Sequence, residues 1–355
     1  MEQSKYKGLI DLWMEAFVLQ FEEEAQQKGY LQDRILDKEY SVTGEWASLT
    51  EDNSNVMAYV VDMDSPFPRI AQGAATVTKG EIPKIASELY FSEKDLTNLN
   101  TLIALGLDRN QNQILQKLFK PLKACYLSQK ERLEYMLKQA LSTGSAYADT
   151  TNNTGAGIAV DFGFKAENKF NASVVWGQPG AKPLKDLTDT VVAKAQADGV
   201  KVTKAYMQQD VFNFIANDDQ AKALVYPDVN SVQMQFATPL DRLNVALLAQ
   251  FGFVIEIVEG KSNLIVNGKK VVLDGWKKGM ISFVTEEKVG ALVWADLAEN
   301  LDRVDGINYQ EAEGFILLRK YKTVTPNYAE YDSSQSRSLC VLKNNIYLFD
   351  TTATA

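Results

Sequence analysis

The 355-residue sequence contains no histidine. This excludes Ser-His-Asp and Cys-His nucleophile relays, and every metal site built on imidazole. Cysteine is nearly absent as well. Cys125 and Cys340 stand far apart and form no CxxC pair, so neither a disulfide framework nor a structural zinc site is expected, and both read as reduced, mostly buried thiols. No apolar run approaches the ~18 residues of a spanning helix. The opening Met1-Glu2-Gln3-Ser4-Lys5 lacks the charged-then-apolar order of a signal peptide. An intracellular product with no membrane partner is therefore expected. Basic residues are in deficit: Lys plus Arg is 37 against 46 for Asp plus Glu, a formal charge of −9. Such a chain is poorly suited to wrapping nucleic acid through its whole surface.

What is present is an ordinary globular composition, long enough for about two domains and for a core that needs no covalent staple. Leu9, Ile10, Trp13, Phe17 and Phe21 recur at three- and four-residue spacing and predict a helix over 5–28, which Gly29 can stop. Residues 1–50 hold ten acids and five bases, more than half of the net charge. Residues 55–91 read as a long β-hairpin arm. Val56, Ala58 and Val60 alternate with Tyr59 and Val61, three of the nine prolines crowd into Pro66, Pro68 and Pro83, and Ser65–Gly80 contains Arg69 and Lys79 but no acid. Such an arm buries little of itself and suits a neighbouring subunit.

Ser92, followed by Glu93 and Asp95, is a helix N-cap. Apolar spacing then continues through Leu96, Leu99, Leu102 and Ile103, and again from Ile114 to Phe119. Pro121 is expected to break or kink this element, with a second start at the capping box Ser128-Gln129-Lys130-Glu131 and an end at Gly144. Residues 145–157 read as a loop, and Gln178–Pro183 as a junction. Residues 184–290 alternate helices (184–197, 210–215, 239–250) with strands (200–202, 253–258), and a hairpin turns at Asn267-Gly268. From Met280 the chain is mostly strand-like and completes a sheet belonging with the long helix.

Chemistry has few places to reside. Asp62 and Asp64 lie two apart, on one face if extended, where they suit a cation, acid–base work or an intersubunit ion pair. Asp218-Asp219 and Glu286-Glu287 read as exposed loop charges, and Lys269-Lys270 and Lys277-Lys278 as solvated ones. Gly155-Ala156-Gly157 lacks the third glycine of a dinucleotide fingerprint, since Val160 stands there. No P-loop, nucleophile elbow or calcium loop occurs.

The order of these parts resembles the major capsid proteins of tailed phages, of the HK97-like fold, and most of all the lambda-type major capsid protein E family. The segments that carry the resemblance are Asp62–Arg69, Thr78–Ile85, Phe91–Leu96, Ile158–Phe164 with Val174–Gly177, and Met207–Phe212. The resemblance implies an α+β fold: an N-arm over 1–50, an E-loop hairpin over 51–91, and a spine helix within 92–144. The P-domain would combine 92–182 with 288–355 around an inserted α/β A-domain over 183–287. It further implies hexamers and pentamers of an icosahedral head that encloses double-stranded DNA without reading its sequence. Assembly would occur in the host cytoplasm, with portal, scaffold and decoration proteins as further partners. It implies no enzyme, no cofactor and no metal. The E-loop would lie across the next subunit, with Arg69, Lys79, Lys84, Asp62 and Asp64 in intersubunit contacts.

Two other classes are open to the sequence. One is an encapsulin-like shell that encloses cargo protein. The other is a carboxylate-dependent hydrolase, which requires a deep cleft with two facing acids. A decoration or tail-adhesion module fits the layout of arm, long helix and inserted domain less well.

Overall fold

A computed structural model describes residues 7–50, 76–104, 111–153, 157–226, 236–266, 269–323 and 329–354. In chain order the first elements are α1 (Lys7–Lys28), α2 (Leu31–Ile35), β1 (Leu36–Tyr40), β2 (Glu45–Thr50), β3 (Thr76–Glu81) and β4 (Lys84–Phe91). There follow α3 (Glu93–Ala104), α4 (Gln111–Thr143), β5 (Ser145–Ala148), β6 (Ile158–Asp161), β7 (Lys169–Ala172), α5 (Pro183–Leu187) and α6 (Ala193–Ala197). The inserted region continues with β8 (Lys204–Met207), α7 (Gln209–Asn217), α8 (Asp219–Val225), α9 (Leu240–Gln250), β9 (Val254–Ile257), β10 (Ser262–Val266) and β11 (Lys269–Leu273). The last are β12 (Met280–Val284), β13 (Gly290–Ala295), α10 (Ala298–Leu301), β14 (Asn308–Ala312), β15 (Ile316–Thr323), β16 (Ala329–Leu342) and β17 (Tyr347–Thr354). The architecture is α+β, as expected.

The chain divides into two compact units. One takes Met1–Trp46, Gly80–Leu137 and Gly290–Val341; the other takes Ala47–Lys79, Lys138–Val289 and Leu342–Ala355.

The first unit is a six-stranded sheet, β1-β13-β16-β15-β14 with β4 also on β16, covered by α4 and then α1. Strand alternation in β16 sets the helix contact. Asp332, Ser334, Ser336 and Cys340 face α4, and small side chains let the helix approach closely. The polar atoms are satisfied in place. Ser334 Oγ donates to the Cys125 carbonyl at 2.7 Å, Gln129 Nε2 donates to Ser334 Oγ at 3.0 Å, and Cys125 Sγ donates to the Asp332 carbonyl at 3.2 Å. On the other side of α4, Phe17 of α1 stacks on Phe119 with centroids 4.5 Å apart, and Ile10, Met14, Val18 and Phe21 are buried. The N-terminal helix thus gains its burial within its own chain rather than as a free arm.

Pro121 lies inside α4, which runs unbroken through it, and Ser128 sits in mid-helix with its hydroxyl on the Cys125 carbonyl at 2.7 Å. The expected break and second helix start do not occur. Leu118, Phe119, Leu122, Cys125 and Tyr126, on both sides of the proline, are at most 1% exposed. Burial of that much apolar surface outweighs the ~3 kcal/mol a helix-interior proline costs. The described part of α3 ends at Ala104 and that of α4 begins at Gln111; residues 105–110 lie outside the described residues. The expected cap is present: Ser92 Oγ accepts from Asp95 N at 3.3 Å, and Asp95 Oδ2 accepts from Ser92 N at 3.2 Å.

The second unit is a five-stranded mixed sheet, β7-β17-β12-β8-β9, with α5–α9 packed on a core that includes Trp176, Leu187, Met207, Ile215, Phe253 and Phe283. A π-helical stretch, Thr188–Val192, joins α5 to α6 into one continuous helical run. Three expectations shift here. Residues 145–148 are a strand paired with β6 rather than loop; the strand expected at 200–202 is β8, four residues on; and β12 and β17, expected in the sheet of the long helix, belong to this one. The α7 and α9 helices and the β9 strand lie within one or two residues of expectation, and α8 was not anticipated.

Candidate assembly surfaces

Of the five residues expected at intersubunit contacts, Asp62, Asp64 and Arg69 lie outside the described residues. Lys79 on β3 and Lys84 at the start of β4 are both exposed. Lys84 stands opposite Arg337 in the β4–β16 register. The Arg337 guanidinium is spent on backbone, donating to the Ile82 carbonyl and the Gly44 carbonyl, each at 3.1 Å. Among the described residues no acid pairs with Lys79 or Lys84. The β4 half of the expected arm is not free: it is paired along its length with β16. The part between β2 and β3 falls outside the described residues.

The outer face of that sheet carries Tyr90, Tyr331 and Tyr321 in direct cross-strand register on β4, β16 and β15. Tyr321 stacks on Tyr331 at 5.3 Å, and Tyr90 tilts against Tyr331 at 5.9 Å. Tyr90 is 64% exposed, while Tyr331 and Tyr321 are half-buried; Leu89, 44% exposed, pairs with Asp332 on the opposite face. Elsewhere on this unit α1 presents Leu12 and Leu19, two turns apart. On the second unit Val245 and Leu248 are exposed on α9, as are Ile265 and Val272 on the β10–β11 hairpin. Sequence reasoning did not single out these residues. The hairpin carried a signal, since apolar residues run without alternation on both sides of Asn267-Gly268.

A dense ionic cluster holds the N-terminal segment in the first unit. Lys130, 1% exposed, contacts Asp33 at 2.6 Å and Glu313 at 2.9 Å. Glu313 also accepts from Tyr126 Oη at 2.6 Å and Lys38 Nζ at 3.0 Å, while its own N–H donates to Glu22 of α1 at 2.5 Å. Burial works to raise the Glu313 carboxyl, but Lys130, Tyr126 and Lys38 outweigh it and hold it below the usual range. Glu313 is the non-glycine residue with a left-handed backbone among those described, φ 52°. These contacts hold it there. A second buried pair, Lys320 with both oxygens of Asp332 at 2.7 and 3.0 Å, is sealed under α4.

The hydrolase reading requires a cleft with two facing acids free to act. The second unit has a cleft of about 600 Å³ that contains Glu167, Asp198 and Glu286. Lys194 engages Asp198 at 2.5 Å and Glu167 at 3.8 Å, and Lys343 pairs with Glu286. Burial raises the Asp198 carboxyl, but Lys194 and Tyr347 outweigh that and lower it, which is unsuited to a general acid. Asp218, read as a loop charge, is structural: it accepts from Leu184 N at 2.9 Å and caps α8 through Gln220 N. No group of three potential metal ligands occurs among the described residues, and no described helix is long and apolar enough to cross a membrane.

Neither a family model nor a curated protein matches the sequence. Comparison with solved structures finds similarity of fold. A crystal structure assigned as a prophage capsid protein of E. coli CFT073 superposes with a TM-score of 0.52 at 10% identity, covering 78% of this chain and 79% of that one. A phage-related protein of Bordetella bronchiseptica RB50 aligns over 92% of this chain and 94% of that one, at TM-score 0.48 and 12% identity. The capsid subunit of Cyanophage A-1(L) aligns over 92% of each chain, at TM-score 0.47 and 11% identity. The chain has the fold of the prophage capsid protein, consistent with the HK97-like architecture expected from the order of its parts.

Proposed function

We propose that this chain is a non-enzymatic shell subunit, the major capsid protein of a tailed double-stranded DNA phage, which assembles into the hexamers and pentamers of an icosahedral head. The observation that carries this reading is the shared fold with the prophage capsid protein over more than three quarters of both chains. Three features support it. Large apolar side chains lie exposed on α1, β4, α9 and the β10–β11 hairpin, as a subunit covered by its neighbours requires. The acids of the polar cleft of the second unit, Glu167, Asp198 and Glu286, are engaged by Lys194 and Lys343. The net charge of −9 suits a wall that encloses DNA without gripping it. In this reading residues 1–50 are the N-arm, 51–91 the E-loop, 92–182 with 288–355 the P-domain, and 183–287 the A-domain. Arg69, Lys79, Lys84, Asp62 and Asp64 are proposed at subunit contacts, and portal, scaffold and decoration proteins as further partners in the virion.

Sedimentation of the purified chain tests the reading. A shell subunit gives discrete particles many times the 39.6 kDa chain mass. A 39.6 kDa species alone, at every protein and salt concentration tried, counts against it.

A further inference from the structure

Among the described residues the β10–β11 hairpin is a two-stranded sheet with no third strand, and isolated hairpins are marginal in water unless one face is covered. Its register places Asn263, Ile265, Lys270 and Val272 on one face. Ile265 is 70% exposed and Val272 57%. The face is held out rather than collapsed, because its roots are pinned. Lys138 Nζ donates to the Glu259 carbonyl at 2.8 Å and the Gly260 carbonyl at 3.2 Å, and Gln208 Nε2 donates to Asp274 at 2.8 Å. From Lys261 to Leu273 the chain carries three lysines and no acid.

The same compact unit carries a surface of matching chemistry. An open groove of about 540 Å³ is lined by Pro179, Ala181, Pro183 and Phe214, with Asp218 and Asp219 on its rim and, among the described residues, no cation in its lining. It is preformed. Trp176 meets Phe214 edge-on at 6.5 Å, and Gly177, at φ 92°, leaves the ring its place, since a Cβ there would lie 2.9 Å from Phe214 Cε1. Both surfaces are exposed in the single chain, so they do not cover one another.

We propose that the outer face of the β10–β11 hairpin of one copy docks into the Phe214 groove of a second copy, with Ile265 and Val272 on its apolar floor and Lys270 against Asp219. The inference rests on the shell reading above and adds the contact to it. An apolar knob with a cation meets an apolar groove with anions. Because knob and groove are different surfaces, the contact is head-to-tail and propagates, into a ring where its rotation closes and into a filament where it does not. The charges set partner and register.

The test uses the full chain under conditions where it forms rings or shells. Lys270→Glu lowers the assembled fraction about tenfold, Asp219→Lys does the same, and the double variant restores it. Both positions are exposed: Lys270→Glu melts at the wild-type temperature, and Asp219→Lys, which puts a cation in the first turn of α8, melts within a few degrees of it. In a second measurement, Val272→Cys with Asn217→Cys gives a disulfide-linked ladder on non-reducing gels from oxidised particles; the native thiols, being buried, add nothing. Particles at wild-type yield from Lys270→Glu, or assembled double-cysteine particles without the ladder, overturn the contact and leave the shell reading standing. A wild-type chain that gives only monomer removes both.

Discussion

Lys320 places an ammonium group where no water reaches it, 0% exposed, between Asp332 and the Leu118 carbonyl. Burial pushes the Asp332 carboxyl up, and Lys320 pulls against it. Removing one partner strands the other, so Lys320→Met is expected to cost about 3–5 kcal/mol in denaturant unfolding, while Lys320→Met with Asp332→Leu recovers most of that loss. Recovery absent in the double variant would show that the pair does more than neutralise itself. The buried thiols give a second residue-scale outcome. Burial first, then the Asp332 charge, pushes Cys125 up to about 12, and burial also raises Cys340. Neither should react with a thiol reagent in the folded chain, and both should react on unfolding. Acid acts through Glu313, Glu299 and Asp350, all held below their usual values by partners that outweigh burial. A depressed carboxylate stabilises the fold above its unfolded pKa and loses that contribution as pH falls through the folded one. Thermal stability should therefore drop as pH falls below about 4, and fall again above about pH 8.5, where the unfolded thiols ionise and the buried ones do not. None of these partnerships was legible in the sequence, because Lys130, Glu313 and Asp33 are neighbours only once α2, α4 and the turn before β15 have come together.

At the scale of the element, α4 shows where local rules end. Its apolar stripe through Leu133, Met136, Leu137, Ala140 and Leu141 was plain in the sequence, as was its stop at Gly144, which has φ 82°. Pro121 pointed the wrong way, since a local steric cost was weighed without the burial on both sides of it. Gly144→Ala should destabilise by more than ~1 kcal/mol, as it both enforces a left-handed backbone on a Cβ and brings it to 3.0 Å from Phe164. In the second unit, helices announced by caps and glycine stops were read within a residue or two. The short strands β5 and β8 were missed or displaced, because four-residue segments carry too little periodicity to place. The β4 strand was read as half of a free arm. Its alternation is weak and its pairing with β16, some 240 residues away in sequence, cannot be inferred locally.

At the scale of the whole molecule, the order of parts carried more than any motif. At 10% identity to the prophage capsid protein, individual residues retain almost no shared signal, while the fold is shared over 78% of this chain. Surfaces that a neighbour would cover were the least visible feature, because an exposed Ile265 and a buried Ile255 look alike until the fold is known. The central claim, that many copies close into a shell, is met most directly by electron microscopy of the purified, concentrated chain. The account predicts closed particles or rings built of six- and fivefold capsomers of this subunit. Fields of dispersed single molecules, with no ring, tube or shell under any condition of concentration and salt, would contradict it.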